Sequence, residues 1–381
     1  MTFLALGMLD PRMGAGTAHA ADTAEAVTPA IDAAGDGPYL LPARHGWTAK
    51  RVGANLRPIL ETVEPLGRIR VAPVGDIPAF AVPLRPRVEA LARDTLPLDP
   101  DTKLLVLGDT HGEYEILVAF LKANGVVDDK LKWSFGKGQI VVTGDMFDRG
   151  AHQTEILWLF YKLEGEARKA GGALHVLLGN HERMVLTGDA RYLHPRYPQA
   201  SQILGQSDYA ALFASDTLLG DWLRSRPAVL KLGDMLFLHG GISPAIVDAN
   251  ISVTDMNKAI RMALDTHAKD QNMLAAPIAL VAGNLGPQWY RGYFGTGDKK
   301  MSDADVERSL ALYGVNRILV GHTKVERVMP LYGGKVIGVQ VYPHRDASTG
   351  APVLEAALRE EDRWYRVSAD GTRHTLAVDG K

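Results

Sequence analysis

The chain has 381 residues, of which 46% are hydrophobic, and a formal net charge of −2. This is enough for one large domain with a smaller one beside it. The near-neutral charge, without a basic run, argues against a nucleic-acid partner. The apolar runs fall short of the ~18–20 residues that a membrane-spanning helix needs. The absence of cysteine excludes disulfides, zinc–thiolate sites and cysteine nucleophiles.

Residues 1–20 allow two interpretations. A short apolar run at 2–9 precedes Ala18-His19-Ala20, which resembles the cleavage signal of a secretory leader. This favours a leader that ends near Ala20 and a periplasmic or secreted protein. However, a positive N-terminal region is missing and Asp10-Pro11-Arg12 interrupts the apolar run. A disordered tail on a cytoplasmic protein therefore stays open.

Residues 21–100 are predicted to form a proline-rich linker and a small N-terminal module that is β-rich or irregular. Short β-like stretches occur at 68–72 and 79–83, and a short helix is predicted at 88–93. We find no catalytic pattern here. His45 and Trp47 are expected to serve packing and not ligand binding.

Residues 101–381 are predicted to form one catalytic domain, because apolar strands alternate with helical patterns as in α/β folds. Gly233-Asp234 between two apolar runs indicates a hairpin. The predicted strands are 104–107, 140–143, 173–178, 229–232, 235–238, 318–320 and 336–341, with more strands towards residue 378. The predicted helices are 113–123, 154–170, 207–224, 254–264 and 303–313.

The heptad at residues 144–150 follows the buried strand 140–143 and contains two carboxylates and a guanidinium between two glycines. An acid at the carboxyl end of a buried strand lies where α/β folds place their chemistry. We therefore expect Asp145 to bridge two metal ions. The alternative for this segment is a surface ion pair between Asp148 and Arg149.

Four further strand ends carry residues that could bind metal, and together with the heptad they indicate a metal centre. Each pattern alone is weak, since a lone Asp-x-His is more often a capped turn. The four segments are Gly108-Asp109-Thr110-His111-Gly112, Gly179-Asn180-His181-Glu182, His239-Gly240-Gly241 and Gly321-His322-Thr323.

In this order the motifs resemble those of the calcineurin-like metallophosphoesterases, and more narrowly the phosphoprotein phosphatase superfamily. The Asp-Arg-Gly ending of the heptad and Lys324 after the last motif favour that branch. Segments 154–158, 188–192 and 288–293 are most similar to the Shewanella-like phosphatases. The resemblance covers residues 104–322 and implies a layered α-β-β-α sandwich of mixed sheets flanked by helices.

The resemblance also implies roles for individual residues. His181 would be the general acid and Asp148 its orienting partner. Arg149, Arg291 and Asn180 would hold the phosphate, although Arg291 could instead stack on neighbouring rings. The implied metal ligands are Asp109, His111, Asp145, Asn180, His239 and His322.

Oxygen and imidazole ligands without sulfur suit manganese, which we expect first, with iron or zinc as alternatives. The sequence contains no serine nucleophile elbow and no glycine-rich nucleotide loop, so we expect direct attack by a hydroxide held by two metals, without a phosphoenzyme. The expected substrates are phosphoproteins or phosphopeptides carrying phosphoserine or phosphothreonine, with phosphotyrosine left open. A nucleotide or dinucleoside polyphosphate hydrolase and a metal-binding scaffold without turnover are the alternatives. The oligomeric state is not predicted.

Two further expectations concern residues near the motifs. Glu182 is expected to support the helix start or the ligands and not to bind metal. Histidines at positions 152, 175, 194, 267, 344 and 374 match no motif. Among them, His194 is expected to border the cleft because it closely follows the segment Gly179-Asn180-His181-Glu182.

Overall fold

The computed structural model describes residues 35–86 and 92–378. The predicted leader and most of the predicted helix at 88–93 lie outside these residues. The strands, numbered in chain order, are β1 Asp36–Pro42, β2 Trp47–Val52, β3 Pro58–Val63, β4 Arg68–Val71, β5 Phe80–Pro83, β6 Thr95–Leu96, β7 Leu104–Leu107, β8 Gln139–Val142, β9 Ala173–Val176, β10 Val229–Leu232, β11 Met235–Leu238, β12 Arg317–Val320, β13 Met329–Leu331, β14 Val336–Gly338, β15 His344–Arg345, β16 Pro352–Val353, β17 Glu355–Glu360, β18 Arg363–Ser368 and β19 Arg373–Thr375.

The helices lie mainly between the strands of the larger domain. The α-helices are α1 Tyr114–Ala123, α2 Gln153–Lys169, α3 Asn180–Leu186, α4 Arg196–Ile203, α5 Leu218–Arg224, α6 Pro244–Asp248, α7 Val253–Leu264, α8 Ala276–Ala282 and α9 Asp303–Tyr313. Short 3₁₀ helices occupy Ala210–Phe213, Ala268–Met273, Gly292–Phe294, Gly297–Lys299 and Tyr332–Gly334. Across the described ranges, no helix is both long and apolar enough to span a bilayer.

Two six-stranded mixed sheets form the centre of the fold. Their strand orders are β19-β18-β17-β7-β8-β9 and β13-β14-β12-β11-β10-β6. Leu104 and Val106 pack with Phe237 of the second sheet, whereas Leu105 and Leu107 belong to the other apolar cluster, which includes helix residues. This alternation buries both faces of β7, which explains its continuous apolar sequence. The predicted α-β-β-α architecture is confirmed.

The N-terminal module is β-rich, as predicted. Strands β1, β2 and β3 form an antiparallel sheet, and β4 pairs with β5. The module packs on the helical layer, where the indole of Trp158 in α2 donates a hydrogen bond to Pro38 O at 2.9 Å. Trp47 is buried as expected, whereas His45 is exposed, so its predicted packing role is wrong.

One predicted element is divided in the structure. The helix expected at 207–224 consists of the 3₁₀ helix Ala210–Phe213 and α5, separated by a turn. The hydroxyl of Thr217 accepts a hydrogen bond from Gly220 N at 3.2 Å and so caps α5. A threonine cap inside an apolar pattern starts a new helix, and periodicity alone does not reveal it. The expected strand 336–341 likewise ends earlier, at Gly338.

Candidate metal centre and active site

The five motif segments meet at one edge of the two central sheets. Strands β7, β8 and β9 are parallel, as are β11 and β12, so their carboxyl ends point the same way. The loops after these strands carry Asp109, His111, Asp145, His239 and His322. Asn180 is the first residue of α3, which follows β9. The structure thus brings together all six predicted metal ligands, and each of them is buried.

The carboxylate of Asp145 is the shared centre of this group. Its Oδ2 lies 3.8 Å from His111 Nε2 and 3.0 Å from His239 Nε2. It also lies 3.8 Å from Nε2 of His181. One oxygen of Asp145 therefore lies 3.0 to 3.8 Å from imidazole nitrogens of three separate loops, so this carboxylate could serve more than one ion.

The other predicted ligands complete the two sides. Asn180 Oδ1 lies 2.9 Å from His239 Nε2, and His322 Nδ1 lies 3.0 Å from the same nitrogen. Asp109 Oδ2 lies 3.7 Å from His111 Nε2. Within the described residues, Asp145 belongs to two candidate metal groups, one with His111 and His181 and one with His239 and His322.

Hydrogen bonds on the outer side of three imidazoles fit this group to cations. His111 Nδ1 lies 2.8 Å from Phe147 O, and His239 Nδ1 lies 3.0 Å from Thr143 O. His322 Nε2 lies 3.2 Å from Trp289 O. A nitrogen that donates to a carbonyl carries the ring proton, so the other nitrogen of a neutral ring offers a lone pair. The inner nitrogens of His111 and His239 face carboxylate and amide oxygens, and that of His322 faces His239 Nε2. A cation would satisfy these neighbouring acceptors.

The electrostatics of the buried groups agree with a cation site. Burial lowers the pKa of His111 to about 3 and that of His322 to about 2, so both rings are neutral. Burial opposes the charge of Asp145, but His239 and His181 outweigh it and hold the pKa of Asp145 well below its usual range. Burial also opposes charge on His239, yet Asp145 and Asp109 raise its pKa to about 9. The carboxylates thus attract positive charge, which bound metal would supply.

The backbone around the ligands is held in an unusual conformation. His111, Asp145, Asp148 and His322 have φ values of 42°, 55°, 71° and 61°. Residues other than glycine rarely adopt this region, and each instance costs roughly 1–3 kcal/mol that the surrounding structure must offset. Such residues cluster at functional sites.

Glu182 supplies part of the stabilisation that offsets this backbone strain. Its carboxylate accepts hydrogen bonds of 2.7 Å each from the backbone N–H groups of Asp145, Met146 and Gly179. A Cβ atom on Gly179 would lie only 2.1 Å from Asp145 Oδ1, so glycine is required there. The expected supporting role of Glu182 fits these contacts, because Glu182 connects the loop of the heptad at 144–150 to the segment 179–182.

His181 lies in the same cavity but differs in its outer partner. Its Nδ1 makes a short hydrogen bond to Asp148 Oδ2, and its backbone N–H donates to Asp145 Oδ1 at 2.9 Å. Burial disfavours charge on His181, but Asp145 and Asp148 outweigh it and raise its pKa. Because Asp148 is fully buried and bonded to His181, the alternative of a surface ion pair with Arg149 is wrong.

Two arginines lie at the rim of the cavity, and both are exposed. The Arg149 guanidinium lies 5.8 Å from the ring centre of Tyr192 and 5.9 Å from that of Tyr342. Arg291 donates to His322 O at 2.8 Å, and a second nitrogen of its guanidinium lies 3.5 Å from His322 Nδ1. The stacking alternative for Arg291 is not tested by these contacts.

A groove beside the cavity contains the histidine expected to border the cleft. His194, Arg149 and Tyr342 line this groove, whose volume is about 490 Å³. His194 thus shares this groove with Arg149 at the rim of the cavity.

Sequence reasoning missed two glutamines that support the ligands. Gln340 Oε1 accepts a hydrogen bond from Asp109 N at 2.5 Å. Gln288 Nε2 donates to Leu178 O and Gly179 O at 3.0 and 2.8 Å. Gln340 belongs to no motif, and its partner Asp109 lies more than two hundred positions earlier in the sequence. No local pattern could therefore have revealed this contact.

Comparison with known proteins decides the family. Residues 102–326, more than half of the chain, match the model of the calcineurin-like phosphoesterases. The chain belongs to this family. The metallophosphoesterase resembles Shewanella-like protein phosphatase 2 of Arabidopsis thaliana, with 26% identity over 66% of this chain and 74% of that protein. An uncharacterized Schizosaccharomyces pombe protein is 30% identical over 58% of this chain and 67% of its own length.

A solved structure extends the similarity to nearly the whole metallophosphoesterase. The cold-active protein-tyrosine phosphatase of a psychrophilic Shewanella species is 36% identical. The two superpose with a TM-score of 0.78 over 90% of this chain and 99% of that one. The similarity to the Shewanella-like phosphatases that the motifs indicated is confirmed.

Proposed function

We propose that this metallophosphoesterase is a protein phosphatase that hydrolyses phosphoserine, phosphothreonine and phosphotyrosine monoesters. The observation that carries the proposal is that Asp145 is shared by two candidate metal groups, with the His181–Asp148 pair beside it. The names of the Arabidopsis and Shewanella relatives, both protein phosphatases, support a phosphoprotein substrate.

Two metal ions fit the ligand set. Asp109, His111 and Asp145 would hold one, and Asn180, His239 and His322 would complete the second with Asp145. Manganese suits these oxygen and imidazole ligands, as do iron and zinc. Bound ions supply an activated water near neutral pH and positive charge that offsets the charge developing on the phosphoryl group.

His181 would protonate the leaving oxygen of the substrate. Its Nδ1 is occupied by Asp148, so its Nε2 faces the cavity near Asp145. The carboxylate of Asp148 keeps the ring oriented and favours its charged form, which is the form that can donate a proton. A carboxylate behind the outer nitrogen also occurs in metal-bound imidazoles, so the metal content of His181→Asn distinguishes an acid from a ligand.

Arg149 and Arg291 would hold the phosphate oxygens, with the amide of Asn180 beside them. A guanidinium binds two phosphate oxygens at once through its parallel N–H groups. Arg291 is held near the cavity by its bond to His322 O, whereas Arg149 projects from the heptad between Tyr192 and Tyr342. The two arginines would thus approach one phosphate from different loops.

A substrate panel tests the proposal. Purified protein with added manganese is assayed for phosphate release from peptides carrying each of the three phosphoresidues, and from diadenosine tetraphosphate. We expect release from phosphopeptides at rates well above that from the dinucleotide. Faster hydrolysis of the dinucleotide would favour a polyphosphate hydrolase, and no release from any substrate by folded, metal-loaded protein would favour a scaffold.

A further inference from the structure

A buried glutamine outside the predicted site contacts the backbone of the catalytic pair. Gln153 is the first residue of α2 and is fully buried. Its Oε1 accepts a hydrogen bond from the backbone N–H of Asp148 at 2.7 Å. No motif singled out this residue, and it contacts neither the predicted ligands nor the cavity where substrate would lie.

Two buried tyrosines determine the orientation of Gln153. Its Nε2 donates to Tyr209 Oη at 2.8 Å, which assigns Oε1 to the side of Asp148. Its backbone N–H donates to Tyr197 Oη at 2.8 Å, and that hydroxyl donates onward to Ala151 O at 2.7 Å. The amide of Gln153 therefore has one arrangement in which every group is paired.

The hydrogen-bonded chain continues into the N-terminal module. Tyr209 Oη lies 3.3 Å from Tyr39 Oη in β1. Tyr39 in turn donates to Asp36 Oδ2 at 2.6 Å, and Thr154 Oγ1 donates to Asp36 Oδ1 at 3.2 Å. The ring of Phe213 packs on both Tyr39 and Tyr209, at 5.8 and 5.2 Å between ring centres. A continuous buried path thus joins β1 to the heptad.

Asp148 needs such support more than an ordinary residue does. Its φ of 71° lies in the left-handed region, which an aspartate holds only when its surroundings impose it. Its Oδ2 bonds to His181, whereas its buried Oδ1 has no hydrogen-bond partner among the described residues. The direction of the carboxylate therefore depends on the backbone of Asp148, and the side chain that holds this backbone is Gln153.

We infer that Gln153 is a positioning residue for the Asp148–His181 pair, supported by the N-terminal module through Tyr209 and Tyr39. The inference rests on the proposed role of His181 as the acid. Gln153 touches no reacting atom, so its effect must appear as poorer proton donation and not as lost metal or weaker substrate binding.

Gln153→Met tests this, because methionine has similar length but no amide. Turnover is compared on phenyl phosphate, whose leaving group needs a proton, and on p-nitrophenyl phosphate, whose leaving group needs little help. We expect kcat on phenyl phosphate to fall by ~10-fold more than on p-nitrophenyl phosphate, within the range seen when an outer hydrogen-bond partner is lost. KM and metal content should not change. Gln153→Glu retains an oxygen acceptor for Asp148 N–H, so its kcat on phenyl phosphate should be close to that of the unmodified protein.

A spectroscopic measurement complements the kinetics. The proton shared by His181 Nδ1 and Asp148 should give a low-field ¹H NMR signal, assigned by its loss in His181→Asn. This signal should shift or broaden in Gln153→Met. Tyr209→Phe should move it in the same direction, whereas Tyr313→Phe, which removes a buried hydroxyl bonded to Ile251 O far from the heptad, should not.

The outcomes separate the two proposals. If His181→Asn shows leaving-group dependence but Gln153→Met lowers both substrates equally and leaves the signal in place, the positioning role is wrong and the proposed function stands. If His181→Asn shows no such dependence, the acid role fails and the inference fails with it. Should Gln153→Met not fold, Tyr209→Phe against Tyr313→Phe decides: equal behaviour of these two variants overturns the inference.

Discussion

Two kinds of imidazole occur in one cavity, and they differ in the partner of the outer nitrogen. On the ligand side, His111, His239 and His322 each place that nitrogen beside a backbone carbonyl. On the acid side, His181 places it beside the carboxylate of Asp148. Burial keeps His111 and His322 neutral, whereas Asp145 and Asp148 outweigh burial at His181 and favour its imidazolium. Asp145 and Asp109 also raise the pKa of His239, and bound metal would supply the positive charge that they attract.

The proposed roles differ for two rings that lie at the same distance from Asp145. His111 Nε2 and His181 Nε2 both lie 3.8 Å from Asp145 Oδ2. Distance alone therefore does not distinguish a metal ligand from an acid here. Burial lowers the pKa of His111 to about 3, while Asp145 and Asp148 raise that of His181 in spite of burial. The following predictions test this assignment, from the largest effect to the smallest.

Asp145→Asn should abolish metal binding. The amide carries no charge and cannot bridge two ions, so metal content and turnover should fall together, by more than the ~10–100-fold that loss of an outer partner costs. Elemental analysis and p-nitrophenyl phosphate turnover measure the two quantities. Asp248→Asn, at an exposed site, is the matched control. A variant that keeps its full metal content would contradict the bridging role.

His181→Asn should affect the acid side alone. We expect unchanged metal content and a loss of kcat of ~10²–10⁴-fold on substrates with poor leaving groups, the usual contribution of acid catalysis. Substituted phenyl phosphates of graded leaving-group pKa measure the effect. A loss of metal would instead make His181 a ligand, in agreement with its distance from Asp145 and against the assignment made from its partner.

Glu182→Gln should weaken the hydrogen bonds that hold the loops after β8 and β9, which carry Asp145 and His181. The substituted amide keeps one acceptor oxygen but cannot serve all three backbone N–H groups, so the loops after β8 and β9 lose a connection. Metal affinity should fall by ~10–100-fold, as for other outer contacts. Titration of metal-free protein measures it, with Glu307→Gln at an exposed position as control. Unchanged affinity would show that the remaining contacts suffice.

Asp148→Asn should produce the smallest effect of the four, a ~10-fold loss of kcat on phenyl phosphate as for Gln153→Met, together with a shift along the pH axis. Without the carboxylate, the charged form of His181 is less favoured and its pKa falls. Catalysis needs the protonated ring, so the alkaline limb of the kcat profile should move to lower pH. Profiles of both proteins on phenyl phosphate measure the shift. A limb that stays in place would assign this ionisation to another group.

Much of the site could be predicted because its residues are contributed locally. Each of the ligand motifs spans a few residues at a strand end, and the strand before it is recognisable from its apolar run. The supporting contacts are different in kind. Gln340 and Gln153 act through single hydrogen bonds to backbone groups that belong to other elements, and their surrounding sequence resembles ordinary strand and helix segments.

The N-terminal module also makes contacts that its local sequence does not reveal. Its β-rich character followed from short apolar stretches between prolines, but the sequence indicated no chemistry in it. The contact from Tyr39 through Tyr209 to Gln153 becomes visible only when β1 is placed on the helical layer. The predicted boundaries at residues 20 and 100 stay predictions.

By itself, the sequence determined the layered α/β fold, the family and the residues that gather around Asp145, because periodicity and short motifs are written into neighbouring positions. The partner of each imidazole became visible only in the folded chain. It depends on distances between atoms from separate loops, because the balance between burial and nearby carboxylates raises the pKa of His181 and lowers that of His111.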